Sequence, residues 1–199
     1  MEFHVVSNGY WPIKQFSDKI APLYGGEVFF HIREKQKTAK EISLGIFEMR
    51  ERGVAPERIV INDRADIAHC FGSGGVQLSN QSLSVTDVRH YFPSLRVGKS
   101  VHSINEAQQA ENEGADYVMF GHIYSTFSKP GKEPQGLKGL ADLTDSVTLP
   151  VIAIGGIKPE HASEIRRAGA TGIAAISGLL DADDAVKRYQ SYKKGWCSR

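Results

Sequence analysis

The chain has 199 residues, 41% hydrophobic and 24% charged with 20 glycines, a composition that builds one full core and excludes disordered, collagen-like and coiled-coil chains. Lysine and arginine total 24 against 23 acidic residues, a formal net charge of +1 with no block of five or more like charges, so no nucleic-acid surface is expected. The N-terminal MEFHVVSNGY carries no basic and apolar leader, and no apolar run nears the ~20 residues that span a bilayer, so a cytoplasmic protein without a membrane partner is expected.

Short apolar runs rich in β-branched residues alternate with helical periodicity along the whole chain. The runs are 3–6, 28–32, 58–61, 75–78, 96–100, 117–121, 151–154 and 172–176, and the helical stretches lie near 14–22, 38–52, 64–71, 84–92, 104–114, 137–147, 159–169 and 181–194. Eight strand-helix units in one chain predict a single-domain (β/α)8 TIM barrel over 1–199, rather than an open doubly wound sheet. No GxGxxG turn follows the first run, which exits through Ser7-Asn8-Gly9, so no dinucleotide site is expected. Boundary residues agree with the period switches. Ser103 or Asn105 can cap the fifth helix, Gly114 can end it, and Pro159 and Gly169 bracket the seventh.

In a barrel the chemistry sits where the strands end. The second run ends in His31-Ile32-Arg33-Glu34-Lys35, the third in Asn62-Asp63-Arg64, the fifth in Lys99-Ser100-Val101-His102 and the sixth in Gly121-His122. Arg33 and Lys35 share parity on an extended segment, so both can reach one anion, or both can be surface charges. Asp63 can hold a metal or cap the third helix. His31 alternates away from Ile32 within its strand. His122 has an imidazole that both accepts and donates protons near neutral pH, and Gly121 beside it leaves room for a ligand.

Glycines end both of the last two strands, at Gly155-Gly156 and Ser177-Gly178. There backbone N–H groups can approach a phosphate closely, or the glycines make tight turns and nothing more. The loop 124–136 is long enough for a lid over the ligand. Cys70 and Cys197 form no CxxC pair, and the seven histidines show no HxxxH or HExxH spacing, so no metal site is expected. Tyr189, Tyr192 and Trp196 make either a packed last helix or a pairing surface, and a homodimer is expected.

The ordered set I-R-E-K (32–35), I-N-D-R-A-D-I-A (61–68), V-G-K-S-V-H (97–102), A-D-Y-V-x-F-G (115–121) and I-A-I-G-G-I (152–157) resembles the thiamin phosphate synthase superfamily over nearly the whole chain. Two departures set it apart from the synthases. Their fourth strand continues in a pattern like G-V-H-x-G-Q-x-D, whose aspartate works with that of the N-D-R motif on magnesium and pyrophosphate, whereas here Gln77 and Ser82 stand at the histidine and aspartate positions. Their sixth strand continues in G-P-x-F-x-T-x-T-K, whereas here Gly121-His122 leads to Thr126-Phe-Ser-Lys129.

On these grounds the chain most resembles the TenI-type thiazole tautomerases. That resemblance implies a cofactor-independent isomerase that aromatises a carboxylated dihydrothiazole (ylidene) ethyl phosphate. His122 would move the proton, Arg33 and Lys35 would hold the carboxylate, Gly155, Gly156, Ser177 and Gly178 the phosphate, and Asn62 and Ser100 would line the pocket. Two alternatives stand beside it. One is a thiamin phosphate synthase, a transferase that forms a C–N bond with release of pyrophosphate, and the other is a non-catalytic thiazole-phosphate-binding regulator.

Overall fold

The computed structural model describes residues 1–126 and 131–198. Eight parallel strands close on themselves: β1 (Glu2–Val6), β2 (Val28–Ile32), β3 (Ile59–Asn62), β4 (Gly75–Leu78), β5 (Arg96–Val101), β6 (Tyr117–Gly121), β7 (Val151–Ile154) and β8 (Gly172–Ala175). Each strand pairs with the next, and β8 returns to β1 through Glu2↔Gly172 to Val5↔Ala175. The crossovers carry α1 (Ile13–Ile20), α2 (Ala39–Glu51), α3 (Ala65–Cys70), α4 (Val85–Tyr91), α5 (Ile104–Asn112), α6 (Gly136–Thr144) and α7 (Ala162–Arg167), with α8 (Ser177–Leu180) and α9 (Ala185–Cys197) after the last strand. This is the (β/α)8 barrel read from the sequence. No helix among the described residues is long and apolar enough to cross a membrane.

Strand parity divides the molecule into two layers of side chains. Val5, Phe30, Ile32, Ile61, Val76 and Val97 point outward and are buried under the helices. In α2 the facing residues are Ile42, Ile46 and Met49, a helical i, i+4, i+7 stripe; burying each contributes about 1.5–3 kcal/mol. Thr38 starts that helix with a capping box, accepting from Glu41 N–H at 3.3 Å while Glu41 Oε2 accepts from Thr38 N–H at 2.8 Å. Ser103, one of the two residues expected at the start of α5, caps it by accepting from Glu106 N–H, and Gly114 ends it at φ +88°.

The barrel interior is divided by side. On the β6–β8 and β1 side it is apolar, with Val6, Tyr117, Met119, Ile152 and Ala174 packed together. On the β1–β5 side it is polar and charged. His4 and His31 are fully buried, Glu2 forms an ion pair with Arg96 at 2.9 Å, and the Arg96 guanidinium lies over the rings of Phe29 and Tyr117 at 4.8 and 4.6 Å. Burial alone would raise the Glu2 pKa, but hydrogen bonds from His4 and Arg96 override it and bring it down to about 2.

The structure departs from the sequence reading at two helices and decides two points that the sequence left open. The four-residue α8 was unforeseen, being too short to show a period. Pro159 opens a single 3-10 turn over Pro159–His161, and α7 itself starts only at Ala162. Asp63 does not cap α3, whose N-cap is Arg64 without a side-chain hydrogen bond; Asp63 takes a left-handed φ of +64° and turns its carboxylate toward the β4 exit. Of the two readings of the C-terminal aromatics, the packed one holds: Tyr189 and Tyr192 each lie 5.1 Å from the Phe3 ring, and Trp196 is buried.

Candidate active site

The carboxyl ends of β2 and β3 open into a cavity of about 260 Å3, lined by Glu34, Lys35, Lys37, Asn62, Asp63 and Arg64 together with Ile42 and Gln81. The β2 exit makes it possible. Ser7 accepts from Arg33 N–H at 2.9 Å, which pins the end of β2 to β1, and the chain then turns, with Lys37 N–H donating to Glu34 O. This turn ends the extended parity on which Arg33 and Lys35 were paired. Lys35 lines the cavity, while Arg33 is not among its lining residues.

Glu34 is the residue the sequence reading passed over. Its carboxylate is almost wholly buried and ion-paired with Lys37 through Oε2, and Lys37 also donates to Trp11 O at 3.1 Å. Among the described residues Glu34 Oε1 has no hydrogen-bond partner, which is costly for a buried carboxylate oxygen unless a ligand completes it. Asp63 Oδ1 accepts from Ser79 N–H at 3.1 Å and from the Ser82 hydroxyl. Arg64 is held in a fork by Asp66, at 2.9 and 2.6 Å. Three cationic heads and two carboxylates around one small cavity suit a polyanion, with or without a cation.

The synthase branch implies a divalent cation, and the donors here fit one. Asp63 and Glu34 both line the cavity, and Glu34 Oε1, buried and without a partner among the described residues, is the atom such an ion would satisfy. Magnesium commonly takes one or two carboxylates and draws its remaining oxygens from phosphate and water. Among the described residues no three His, Cys, Asp or Glu side chains converge, so the ligand's own oxygens would have to complete the set.

The remaining candidates are spread around the barrel mouth. Asn62 lines the cavity, and Ser100 lies farther round, accepting from Gln77 Nε2 at 3.0 Å. His122 is buried, with Nε2 3.2 Å from Lys132 O, and so packs against the segment after β6. Gly121 serves its neighbour strand rather than a ligand, because a Cβ there would lie 2.1 Å from Ile154 O. Gly155 and Gly156 have φ of +99° and +66°. A Cβ on Gly155 would meet His122 Cβ at 2.3 Å, and one on Gly156 would meet Ser125 O at 2.5 Å. A Cβ on Gly178 would meet the Tyr192 hydroxyl at 2.5 Å. Of the 124–136 loop, residues 127–130 lie outside the described residues, as does most of the Thr126–Lys129 motif. A larger open groove of about 680 Å3 lies against α1 and the turn after α8, lined by Trp11, Asp18, Lys19 and Asp183. Its lining comes mainly from α1 and the turn after α8, and it shares no lining residue with the cavity at β2 and β3.

A closed parallel barrel with a mixed-charge cavity at its strand ends has the layout of a barrel enzyme. Residues 17–179 match the family described as thiamine monophosphate synthase, and the chain belongs to that family. It is 32% identical over 187 residues to the thiamine-phosphate synthase of Methanococcus vannielii, covering 94% of this chain and 90% of that one. To the thiamine-phosphate synthase of Chloroflexus aurantiacus it is 35% identical over 170 residues, covering 83% and 78%. Among solved structures, thiamine phosphate pyrophosphorylase from Pyrococcus furiosus superposes with a TM-score of 0.80 at 28% identity, covering 98% of this chain and 95% of that one.

These relatives overturn the isomerase expectation. They are named as synthases, which are transferases, so the two departures at Ser82 and His122 do not make the chain a tautomerase. The acid–base role given to His122 and the carboxylate-holding role given to Arg33 and Lys35 belonged to that reaction. So did the cofactor-free chemistry.

Proposed function

We propose that the chain is a thiamine-phosphate-forming transferase that joins a pyrimidine pyrophosphate to a thiazole phosphate and releases pyrophosphate. The observation that carries this reading is the cavity itself. Lys35, Lys37 and Arg64 converge with the carboxylates of Asp63 and Glu34 at the ends of β2 and β3, the arrangement a leaving pyrophosphate requires.

In the reaction the thiazole ring nitrogen gives its lone pair to the pyrimidine methylene carbon as the C–O bond to pyrophosphate breaks. The bonding pair leaves with pyrophosphate, and no proton need be moved on the ring. The work left to the protein is to orient two substrates and to stabilise departing charge. Lys35 and Lys37 hold the pyrophosphate oxygens, and Asp63 and Glu34 would hold magnesium, which when bound neutralises part of the leaving group's charge. Asn62 borders the same cavity. The thiazole phosphate is assigned to the Gly155-Gly156 and Ser177-Gly178 ends of β7 and β8, where the left-handed Gly155 and Gly156 turn the backbone and backbone N–H groups can face an anion. The cytoplasmic site of action, single-domain organisation and homodimer expected from the sequence are part of this proposal.

Product formation tests it. With both substrates and magnesium the chain should yield thiamine phosphate; tight binding of thiazole phosphate without any product would overturn the reading in favour of a non-catalytic binder.

A further inference from the structure

Four polar side chains form a continuous hydrogen-bonded line through the barrel, from its amino-terminal floor to the cavity. Glu2 Oε2 lies 3.1 Å from His4 Nε2, His4 Nδ1 lies 2.8 Å from His31 Nε2, and His31 Nδ1 lies 3.3 Å from the Asn62 amide at Oδ1. Both imidazoles are fully buried. The β1–β2 register explains how they meet, since His4 pairs with Phe29 and Val6 with His31, which makes the two histidines diagonal neighbours on the inward face.

With both rings neutral, each link in this line has one allowed direction. The Glu2 carboxylate, shared with Arg96, only accepts, so His4 Nε2 carries a hydrogen. A neutral His4 then has a bare Nδ1, which must accept from His31 Nε2–H. A neutral His31 in turn has a bare Nδ1, an acceptor, and a carbonyl oxygen facing it at 3.3 Å would be acceptor against acceptor. The two ends of an amide have the same shape, so a half-turn of the Asn62 amide places its NH2 toward His31 and its oxygen toward the cavity.

We infer that His4 and His31 are positioning residues whose hydrogen order fixes Asn62 with its carbonyl oxygen presented to the cavity. Asn62 is then an acceptor in a cavity lined also by the cations Lys35, Lys37 and Arg64, and the ligand group that meets it carries an N–H or O–H, such as an amino group, and is not a pyrophosphate oxygen. Of the groups facing the pair, the Glu2 carboxylate favours a charged His4, and the Arg96 guanidinium and the burial of both rings oppose it. From β1 comes Glu2, from β2 Phe29 stacked on His4 at 4.8 Å, from β5 Arg96, and from β6 Tyr117, its ring 5.6 Å from His4. Burial first, then the neighbouring His4 and Arg96 charges, holds the His31 pKa well below the ordinary value. Burial also lowers the His4 pKa, against the pull of Glu2.

Nitrogen-15 NMR of the full chain with labelled histidine tests the inference without any turnover, so it stands or falls apart from the transferase reading. At pH 7.5 both His4 and His31 should show the neutral Nε2–H tautomer. Asn62→Asp keeps the shape and leaves only acceptors, so His31 should gain a hydrogen on Nδ1, visible as a large shift of that nitrogen. A His31 that already carries hydrogen on Nδ1 in the unaltered protein, or that Asn62→Asp leaves unchanged, would mean that the carbonyl faces the barrel interior, and the inference would be wrong. Should Asn62→Asp fail to fold, the tautomer of the unaltered chain decides alone.

Discussion

Ser82 donates its hydroxyl to Asp63 Oδ1, joining the β4 exit to the carboxylate at the end of β3. The position at which the synthase pattern has an aspartate is thus filled by a hydrogen-bond donor that holds the remaining aspartate in place. Ser82→Asp removes a hydrogen bond to a charged group, about 1.5–3 kcal/mol, and sets two carboxylates side by side. The variant is expected to melt lower than wild type in chelating buffer and to recover on adding magnesium, by a larger rise than wild type shows. Melting curves with and without the ion check this, and equal rises in both proteins would count against a cation at Asp63.

Lys35 is the cavity cation that the sequence already marked, and among the described residues it makes no ion pair, whereas Glu34 engages Lys37 and Asp66 engages Arg64. Lys35→Ala should weaken pyrophosphate binding about tenfold or more, the effect of losing a charge-assisted contact of about 1.4 kcal/mol or more. Calorimetric titration with pyrophosphate and magnesium measures it, and unchanged affinity would place the anion elsewhere.

Acid should destabilise the protein before its carboxylates protonate. The unfolded imidazoles take up protons below about 6.5, while His4 and His31 resist doing so in the fold. The unfolded state therefore binds more protons in that window, and stability falls as pH drops below 6.5, by up to about 1.4 kcal/mol per pH unit for each ring. Glu2, with a folded pKa of about 2, adds its own loss only from about 4.5 downward. Urea unfolding at pH 7.5, 6 and 5 should show the early loss in wild type and a shallower one in His31→Gln. Parallel pH profiles for the two proteins would contradict it.

Gly121→Ala should be destabilising by about 3 kcal/mol, because the added Cβ would lie 2.1 Å from a backbone oxygen of β7 that has no freedom to retreat. Gly131, where a Cβ meets nothing within 4 Å but φ is +72°, gives the comparison: alanine there costs only backbone strain, about 1 kcal/mol. Thermal melts of both variants distinguish a packing requirement at Gly121 from a general intolerance of the β6 exit.

The barrel was legible because its strands are uninterrupted β-branched runs: Val28–Ile32 and Val151–Ile154 lie where those runs predict them. The short α8 was not, since four residues complete barely one turn. At the site, Lys35 and Asn62 were legible as polar residues at strand ends. Glu34 and Lys37 were not, because alternation says nothing once the chain turns after β2. The inward direction of His31 followed from alternation with Ile32, but its partner His4 is set by the β1–β2 register, which one strand's sequence does not contain. The branch of the family was misread from single residues. Ser82 and His122 were weighed as changes of reaction, whereas Ser82 supports Asp63 and His122 packs on the segment after β6.

The central claim is that the cavity at the ends of β2 and β3 is the pyrophosphate site of a transferase. Its most direct test is the rate of pyrophosphate release from the pyrimidine pyrophosphate in the presence of thiazole phosphate and magnesium, for wild type and Asp63→Asn. Release matched one for one by thiamine phosphate, falling at least about a hundredfold in the variant, is the expected result. Release at the same rate in both proteins, or none from wild type, would contradict it.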